Sequence, residues 1–153
     1  MYEKEITVKR ILFVLLVLAL TLAACTPKPE TPSGTDLKVT DGTIVKTYSV
    51  DDLKALGNVQ ASDKGVSYVG VPLKVLLQDA GIDPSKLSAV KAVASDGFTA
   101  NYDSSQFLAD NTLVAYAQAD GPLTEDEGTF RMVVPDQGGK LNPRILVEID
   151  AIP

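Results

Sequence analysis

Apolar and polar side chains alternate over several short segments of the chain, and this period of two predicts β-strands. We predict strands over residues 43–49, 66–71, 89–94, 98–102, 113–118 and 145–152. Residues 130–134 (FRMVV) are almost wholly apolar, which predicts a short strand in a central, buried position. Asp96-Gly97 is a tight-turn signal, so we expect the two strands that flank it to form a hairpin.

Short helices are predicted between these strands because typical capping residues mark their ends. Ser49 is placed as the N-cap of a helix over residues 50–56. Pro72 occupies the first position of a second helix, and Gly81 and Ile82 are placed to end it in a Schellman motif. Two further helical segments are predicted over residues 84–87 and 104–108.

The order of these elements predicts the fold class. Strands interleaved with short helices and hairpins are typical of an α+β domain rather than a doubly wound sheet. We therefore expect residues 36–153 to form a single compact domain around a mixed β-sheet with short helices. A segment of this length is enough for one hydrophobic core.

The first 24 residues have the pattern of an export signal. Three basic residues lie among the first ten. The apolar run over residues 11–22 is shorter than the roughly 20 residues that a membrane-spanning helix needs. The run ends in residues 22–25 (LAAC), which resemble the bacterial lipobox. The resemblance implies that Cys25 carries a lipid and becomes the first mature residue. The alternative is a plain secretory leader with an incidental cysteine.

The next ten residues, 26–35 (TPKPETPSGT), are rich in proline and hold no large apolar side chain, so we expect a tether. The predicted organisation is therefore a signal peptide over 1–24, a lipidated cysteine and tether over 25–35, and a domain over 36–153. The expected location is the exported side of the cell membrane, where the lipid anchor holds the protein.

Composition excludes several kinds of chemistry. The 153 residues include no histidine, no tryptophan and one cysteine, so triads with histidine, histidine-ligated metals and intramolecular disulfides are ruled out. The formal net charge is -6, which argues against a nucleic-acid partner because phosphate binding needs clustered cations.

Residues 124–128 (TEDEG) form an acidic loop. Its residues Glu125, Asp126 and Glu127 are typical of a solvated turn, and a calcium site formed with Asp120 is the alternative.

Four segments, in order, resemble the molybdopterin-binding domain of the sulfite oxidase family. They are residues 68–81 (YVGVPLKVLLQDAG), 93–98 (VASDGF), 112–123 (TLVAYAQADGPL) and 128–135 (GTFRMVVP). The first is similar to the family's strand, Gly-Val-Pro-Leu and helix element, and the last to its arginine-containing strand that ends in Val-Val-Pro. The segments run from residue 68 to residue 135, and the match as a whole spans roughly residues 43–152. The resemblance implies the sulfite-oxidase-type molybdopterin-binding fold.

The resemblance also implies molybdopterin as the family's cofactor, with a cysteine thiolate bound to molybdenum ahead of the Gly-Val-Pro-Leu element. The corresponding residues 57–67 (GNVQASDKGVS) contain no cysteine. A serine such as Ser62 would be a far harder ligand than a thiolate. The usual metal ligand of the family is therefore missing here.

The loop after residues 128–135 resembles the family's Gly-x-Arg-Ser-x-Lys loop, which holds the phosphate and pterin. Gly139 matches the glycine of this loop. The positions of the family's arginine, serine and lysine hold Leu141, Asn142 and Arg144, and Lys140 places a cation one position before that of the arginine. The resemblance implies a cofactor-binding set of Arg131, Gly139, Lys140, Asn142 and Arg144. A solvated loop with scattered cations is the alternative interpretation.

Three functions follow from these observations. The first is a membrane-tethered binding or accessory module with a molybdopterin-binding-like domain that lacks the metal-binding cysteine. The second is a minimal molybdopterin-dependent oxidoreductase, or a subunit of one, completed by a redox partner protein. The third is a tethered protein-interaction module with no small ligand. No catalytic residue and no metal ligand is predicted from the residues themselves.

Overall fold

A computed structural model describes residues 36–153. The predicted signal peptide, Cys25 and the tether lie outside the described residues, so those expectations stay predictions. Among residues 36–153, no helix is long and apolar enough to cross a membrane.

Ten strands are divided between two five-stranded sheets. Sheet A has the order β2-β1-β10-β5-β6, and it is mixed because β1 runs parallel to β10 while its other pairs are antiparallel. Its strands are β1 (Leu37–Thr40), β2 (Val45–Tyr48), β5 (Ala89–Ala94), β6 (Thr99–Tyr102) and β10 (Leu146–Ile152). The predicted hairpin is confirmed, since β5 pairs with β6 across the turn at Asp96-Gly97.

Sheet B is antiparallel and is built around β4 and β7. Its order is β3-β4-β7-β8, and β9 also pairs with β7. Its strands are β3 (Val59–Asp63), β4 (Val66–Pro72), β7 (Leu113–Gln118), β8 (Gly121–Pro122) and β9 (Arg131–Val133). The predicted α+β domain with a mixed sheet and short helices is confirmed, and the second sheet is an addition to it.

The helices are α1 (Val50–Leu56), α2 (Leu73–Asp79) and α3 (Ser104–Phe107), with 3₁₀ turns at Pro84–Lys86 and Gly139–Leu141. Ser49 caps α1, and its side chain and that of Asp52 satisfy each other's backbone N–H groups in a capping box. After α2, the N–H of Ile82 donates to the carbonyl of Leu77 at 3.0 Å, which is the predicted Schellman motif.

The apolar core lies between the two sheets and the helices. Large side chains from every layer are fully buried in it, among them Leu37, Leu53, Leu76, Tyr102, Met132 and Ile149. A smaller cluster covers the opposite face of sheet B and contains Ala61, Tyr68, Leu113, Ala115 and Val133. Successive residues of β9 therefore contribute to different clusters, as the period of two requires.

Two predictions about the elements need correction. Pro72 is the last residue of β4 rather than the first of α2, because it still pairs with Leu113 in β7 and keeps an extended ψ of 133°. Residues 130–134 are buried as predicted but not central, since β9 pairs only with β7 among the described strands. The loop before β10 covers its free edge, where Met132 N–H donates to the carbonyl of Pro143 at 3.0 Å.

Strands β1 and β3 were not predicted. Strand β1 (LKVT) has four residues, and β3 (VQASD) contains two apolar side chains and three poor strand formers. Both form because an adjacent strand pairs with them, β2 with β1 and β4 with β3. Tertiary pairing thus overrides the weak local preference.

Gly70 is required where β4 approaches β7. A Cβ atom at this position would lie 2.3 Å from the backbone oxygen of Val114 and 2.7 Å from Cα of Ala115. We expect Gly70→Ala to destabilise the domain by about 3 kcal/mol, because overpacking forces the backbone apart. Urea unfolding measures the difference. Gly138→Ala is the matched control, since its Cβ would meet nothing within 4 Å, and an equal loss in both variants would contradict this reading.

Candidate functional site

A cavity of about 550 Å³ opens between the ends of the two sheets. Its walls come from the turn between β3 and β4, the β5–β6 hairpin, the acidic loop before β9, and the loop between β9 and β10. The lining residues that matter below are Asp63, Lys64, Tyr68, Asp96, Phe98, Asp126, Arg131, Gly139, Asn142, Arg144 and Ile145. The volume is in the range of small-molecule sites.

Strand register places the polar floor of this cavity on one face of sheet B. Tyr68 lies opposite Gln118, and Ala115 lies opposite both Gly70 and Arg131. Residues directly opposite in an antiparallel pair share a face. The side chain of Arg131 therefore lies on the same face as Ala115, which has a small side chain, and Gly70, which has none. Asp63 reaches the same cavity from the end of β3.

Arg131 is the centre of a buried cluster of charges. It is 3% exposed, although residues 130–134 were predicted as an apolar strand. Nη1 donates to the Glu127 carboxylate and, at 2.7 Å, to the hydroxyl oxygen of Tyr68, while Nη2 lies 3.5 Å from the Asp63 carboxylate. The guanidinium also lies 4.3 Å from the centre of the Tyr68 ring. Two carboxylates thus compensate one buried cation.

Glu127 is the main counter-charge of this cluster. It is 4% exposed and accepts hydrogen bonds from Tyr68 at 2.7 Å, from Gln118 at 2.8 Å and from the N–H of Thr124 at 3.0 Å. Burial raises the pKa of Glu127, but these hydrogen bonds and Arg131 outweigh it and hold the pKa at about 2. The prediction of a solvated acidic turn is wrong for Glu127, because Arg131 draws it inside.

Tyr68 stays protonated across the physiological range. Burial, and then its hydrogen bond to Glu127, raises the pKa of the phenol to about 12. Its hydroxyl both donates to Glu127 and accepts from Arg131, so it bridges the two charged groups. The ring of Tyr68 packs in the smaller apolar cluster on sheet B, whereas its hydroxyl belongs to the charge cluster.

The loop between β9 and β10 is held by two side chains. Asn142 is buried, its Oδ1 accepts from the N–H of Val134 at 2.6 Å, and its Nδ2 donates to the carbonyl of Gln137 at 3.3 Å. The hydroxyl of Tyr102 donates to the carbonyl of Leu141 at 2.8 Å. Since its polar atoms already bond to the loop itself, Asn142 serves first as a brace.

Backbone strain is concentrated beside the cavity. Ile145 has a φ of 46°, which is an outlier for a β-branched residue, and its N–H donates to the carbonyl of Glu127 at 2.8 Å. Gly128 faces it, and a Cβ there would lie 2.8 Å from Cα of Ile145. The strained residue therefore joins the acidic loop to the start of β10.

The structure brings four of the five residues of the predicted cofactor-binding set to this cavity. Arg131, Gly139, Asn142 and Arg144 line it, whereas Lys140 is exposed and does not. Arg144 pairs with Asp126 at 2.5 Å, and Arg131 is paired inside the cluster. Their role in holding a cofactor stays a prediction.

Ser62 does not lie in this cavity. It is exposed on β3 and lines a separate depression with Gln60 and Asp136. Alternation along β3 turns the next residue, Asp63, into the cavity instead. The sequence reasoning missed Asp63, Lys64 and Glu127. The alternation of Ala61 and Asp63 was a signal for the first, but nothing local marks Glu127 as the partner of Arg131.

The family follows from a comparison of the sequence with family models. The model of the oxidoreductase molybdopterin binding domain matches residues 44–153. The chain belongs to this family. A comparison with curated protein sequences gives no significant match.

The molybdopterin-binding family assignment agrees with the fold. The structure is similar to the sulfane dehydrogenase SoxCD from Paracoccus pantotrophus, with a TM-score of 0.65 at 18% sequence identity. The match covers 79% of this chain and 39% of that chain, so the present chain spans about two fifths of that protein's length. At this identity the likeness concerns the fold, and it confirms the sulfite-oxidase-type molybdopterin-binding fold that the four segments imply.

The residues that line the cavity do not fit the family's cofactor. The family binds molybdenum through a thiolate, and residues 36–153 contain no cysteine. The phosphate of the cofactor needs clustered cations, whereas Arg131 and Arg144 are already paired with carboxylates and Lys64 is the one cation of the lining without such a partner among the described residues.

The pKa of Glu127 leads to a prediction about stability. Because folding lowers this pKa from 4.5 to about 2, Glu127 stabilises the fold above about pH 4.5, and this contribution is lost as the pH falls towards 2. We expect Glu127→Gln to cost about 3 kcal/mol at pH 7, since it leaves Arg131 with a weaker partner.

Urea unfolding at pH 7 and pH 3 measures this effect. The difference between the wild type and Glu127→Gln shrinks at the lower pH. The neighbouring Glu125→Gln is the matched control, because Glu125 is exposed and has no ion pair within residues 36–153, and it leaves stability nearly unchanged. A pH-independent cost of Glu127→Gln would contradict the assigned role.

Proposed function

We propose that the protein is a membrane-tethered lipoprotein whose domain acts as a binding or accessory module and holds no molybdenum centre. The observation that carries this proposal is the internal pairing of Arg131. The arginine of the family-like strand is neutralised by Glu127 and Asp63 on the floor of the cavity. It is therefore used to hold the domain together rather than to bind an anionic cofactor.

The donor chemistry of the cavity supports the same proposal. Carboxylate, amide and hydroxyl groups line it, and these are hard ligands, whereas the family's molybdenum site uses a soft thiolate. Three aspartates, Asp63, Asp96 and Asp126, face the space in which an anionic cofactor would lie. Asp63 and Asp126 are paired with arginines, but Asp96 has no cation within 4.0 Å among residues 36–153, and its charge weakens the binding of a phosphate.

The tether is proposed from the sequence. The basic start, the short apolar run and residues 22–25 (LAAC) are the pattern of a lipid-modified export signal. The proline-rich residues 26–35 would then separate the domain from the membrane surface. The domain would then bind its ligand or partner on the exported side of the membrane.

Metal and pterin analysis tests the absence of a molybdenum centre. We expect protein produced in a host that makes the cofactor to contain molybdenum and pterin at far below one equivalent per chain. Elemental mass spectrometry measures the metal, and fluorescence after oxidation measures the pterin. A molybdoenzyme of the family, produced in the same host, controls for cofactor supply. One equivalent of both would overturn the proposal and favour the minimal oxidoreductase.

The lipid anchor is tested at Cys25. We expect Cys25→Ala to move the protein from the membrane fraction to the soluble fraction, while the matched variant Thr26→Ala stays with the membrane. Immunoblots of separated fractions measure the distribution. Mass spectrometry of the N-terminal peptide gives a second readout, and a free thiol on Cys25 in the mature wild type would contradict the anchor.

A further inference from the structure

Two lysines differ from all the other cations of the domain. Every other lysine and arginine within residues 36–153 has a carboxylate within 4.0 Å: Lys38, Lys46, Lys54, Lys74, Lys86, Lys91, Arg131 and Arg144. Lys64 and Lys140 have no such partner in the part of the chain that is described. Because carboxylates outnumber cations in this protein, a cation without a carboxylate partner is an exception.

Of these two, Lys64 belongs to the cavity. It lies in the tight turn between β3 and β4, where its own φ is 51° and that of Gly65 is 82°, and it lines the cavity beside Asp63. Its Nζ is 3.6 Å from the place where a Cβ atom at Gly139 would be. Glycine at 139 thus leaves open the space next to this ammonium group.

The other cations around the cavity already have carboxylate partners. Arg131 is paired with Asp63 and Glu127, and Arg144 is paired with Asp126. The remaining carboxylate, Asp96, accepts the N–H of Phe98 at 2.9 Å and closes its own turn. The cavity therefore offers one cation without a carboxylate partner to a ligand.

Apolar side chains surround the mouth of the cavity. Val66 is 37% exposed, Phe98 is 43% exposed and Ile145 is 40% exposed, and all three line the same space. Large apolar side chains gathered around a concave site indicate contact with an apolar body. Phe98 also sits at the tip of the β5–β6 hairpin, and it lines the same cavity as Lys64.

We propose that this cavity binds a small organic monoanion, a carboxylate on an aromatic or aliphatic body, with Lys64 against the carboxylate and Phe98 and Ile145 against the body. The inference rests on the proposed function, since a bound molybdenum cofactor would fill the same space. A single charge is expected because one cation is available, and a multiply charged phosphate would meet the aspartates of the wall.

Benzoate, benzyl alcohol and benzylamine test this proposal because they share a ring and differ in charge. The full-length protein, ¹⁵N-labelled and held in lipid nanodiscs, is titrated with each probe while amide shifts are recorded by NMR. Empty nanodiscs correct for partitioning of the probe. We expect benzoate to bind most tightly and to shift the signals of Lys64, Phe98 and Ile145.

The variants locate the contact. Lys64→Gln is expected to weaken benzoate about threefold, as for an exposed ion pair, and to leave benzyl alcohol unchanged. Phe98→Ala is expected to weaken both probes about fivefold. Lys140→Gln is the matched control, because it removes the other unpaired cation from outside the cavity lining, and it keeps the wild-type affinity.

Three outcomes would overturn the proposal: tighter binding of benzylamine than of benzoate, equal losses in Lys64→Gln and Lys140→Gln, or saturable binding of none of the probes. Metal and pterin analysis of the same preparation distinguishes a failure of the proposed function from a failure of the monoanion site. A preparation loaded with the cofactor contradicts the proposed function, whereas a cofactor-free preparation that fails to bind benzoate at Lys64 contradicts the monoanion site alone.

Discussion

Compensation of the buried Arg131 charge is the constraint on which the rest of the site depends. An uncompensated guanidinium in the interior costs several kcal/mol, so its partners must be in place before the strand can be buried. They come from separate segments: Asp63 ends β3, Tyr68 lies in β4, and Glu127 belongs to the loop before β9. A slip of one residue in the register of β9 would turn Arg131 away from all of them. One charge therefore fixes a strand register, a loop and the floor of the cavity.

In this arrangement, the fold of the family and its ligand chemistry depend on different residues. Backbone elements such as the β4–α2 connection and the β5–β6 hairpin depend on glycine, proline and apolar side chains, and a domain keeps them for stability whether or not it binds a cofactor. The charged residues at the same positions are free to take other partners. Here Glu127 and Asp63 occupy the donor groups of Arg131 that face the cavity. Family membership thus accounts for the architecture without fixing the partners of these charged residues.

The same division explains what the sequence alone predicts. Local signals were reliable: Ser49 with Asp52 caps α1, and Gly81 with Ile82 ends α2. Positions that depend on a distant partner were not. Strand β3 forms because β4 pairs with it. Glu127 is buried because Arg131 lies nearby, although the three residues before it, 124–126, are exposed. The predicted loop residues reach the cavity with the exception of Lys140, since alternation and turn geometry decide which side chain faces inwards.

Backbone strain and an unpaired charge coincide at the same cavity. Three non-glycine residues within 36–153 have a positive φ, namely Lys64, Asp136 and Ile145, and two of them line this space. A strained residue persists only where the surroundings over-determine its conformation, and such positions cluster at binding sites. Lys64 combines this backbone conformation with an ammonium group that has no carboxylate partner among the described residues. A turn that served connection alone would favour glycine or asparagine at that position, because they adopt the left-handed conformation at lower cost. The lysine therefore needs an explanation beyond the turn that carries it, and the proposed monoanion site would supply one.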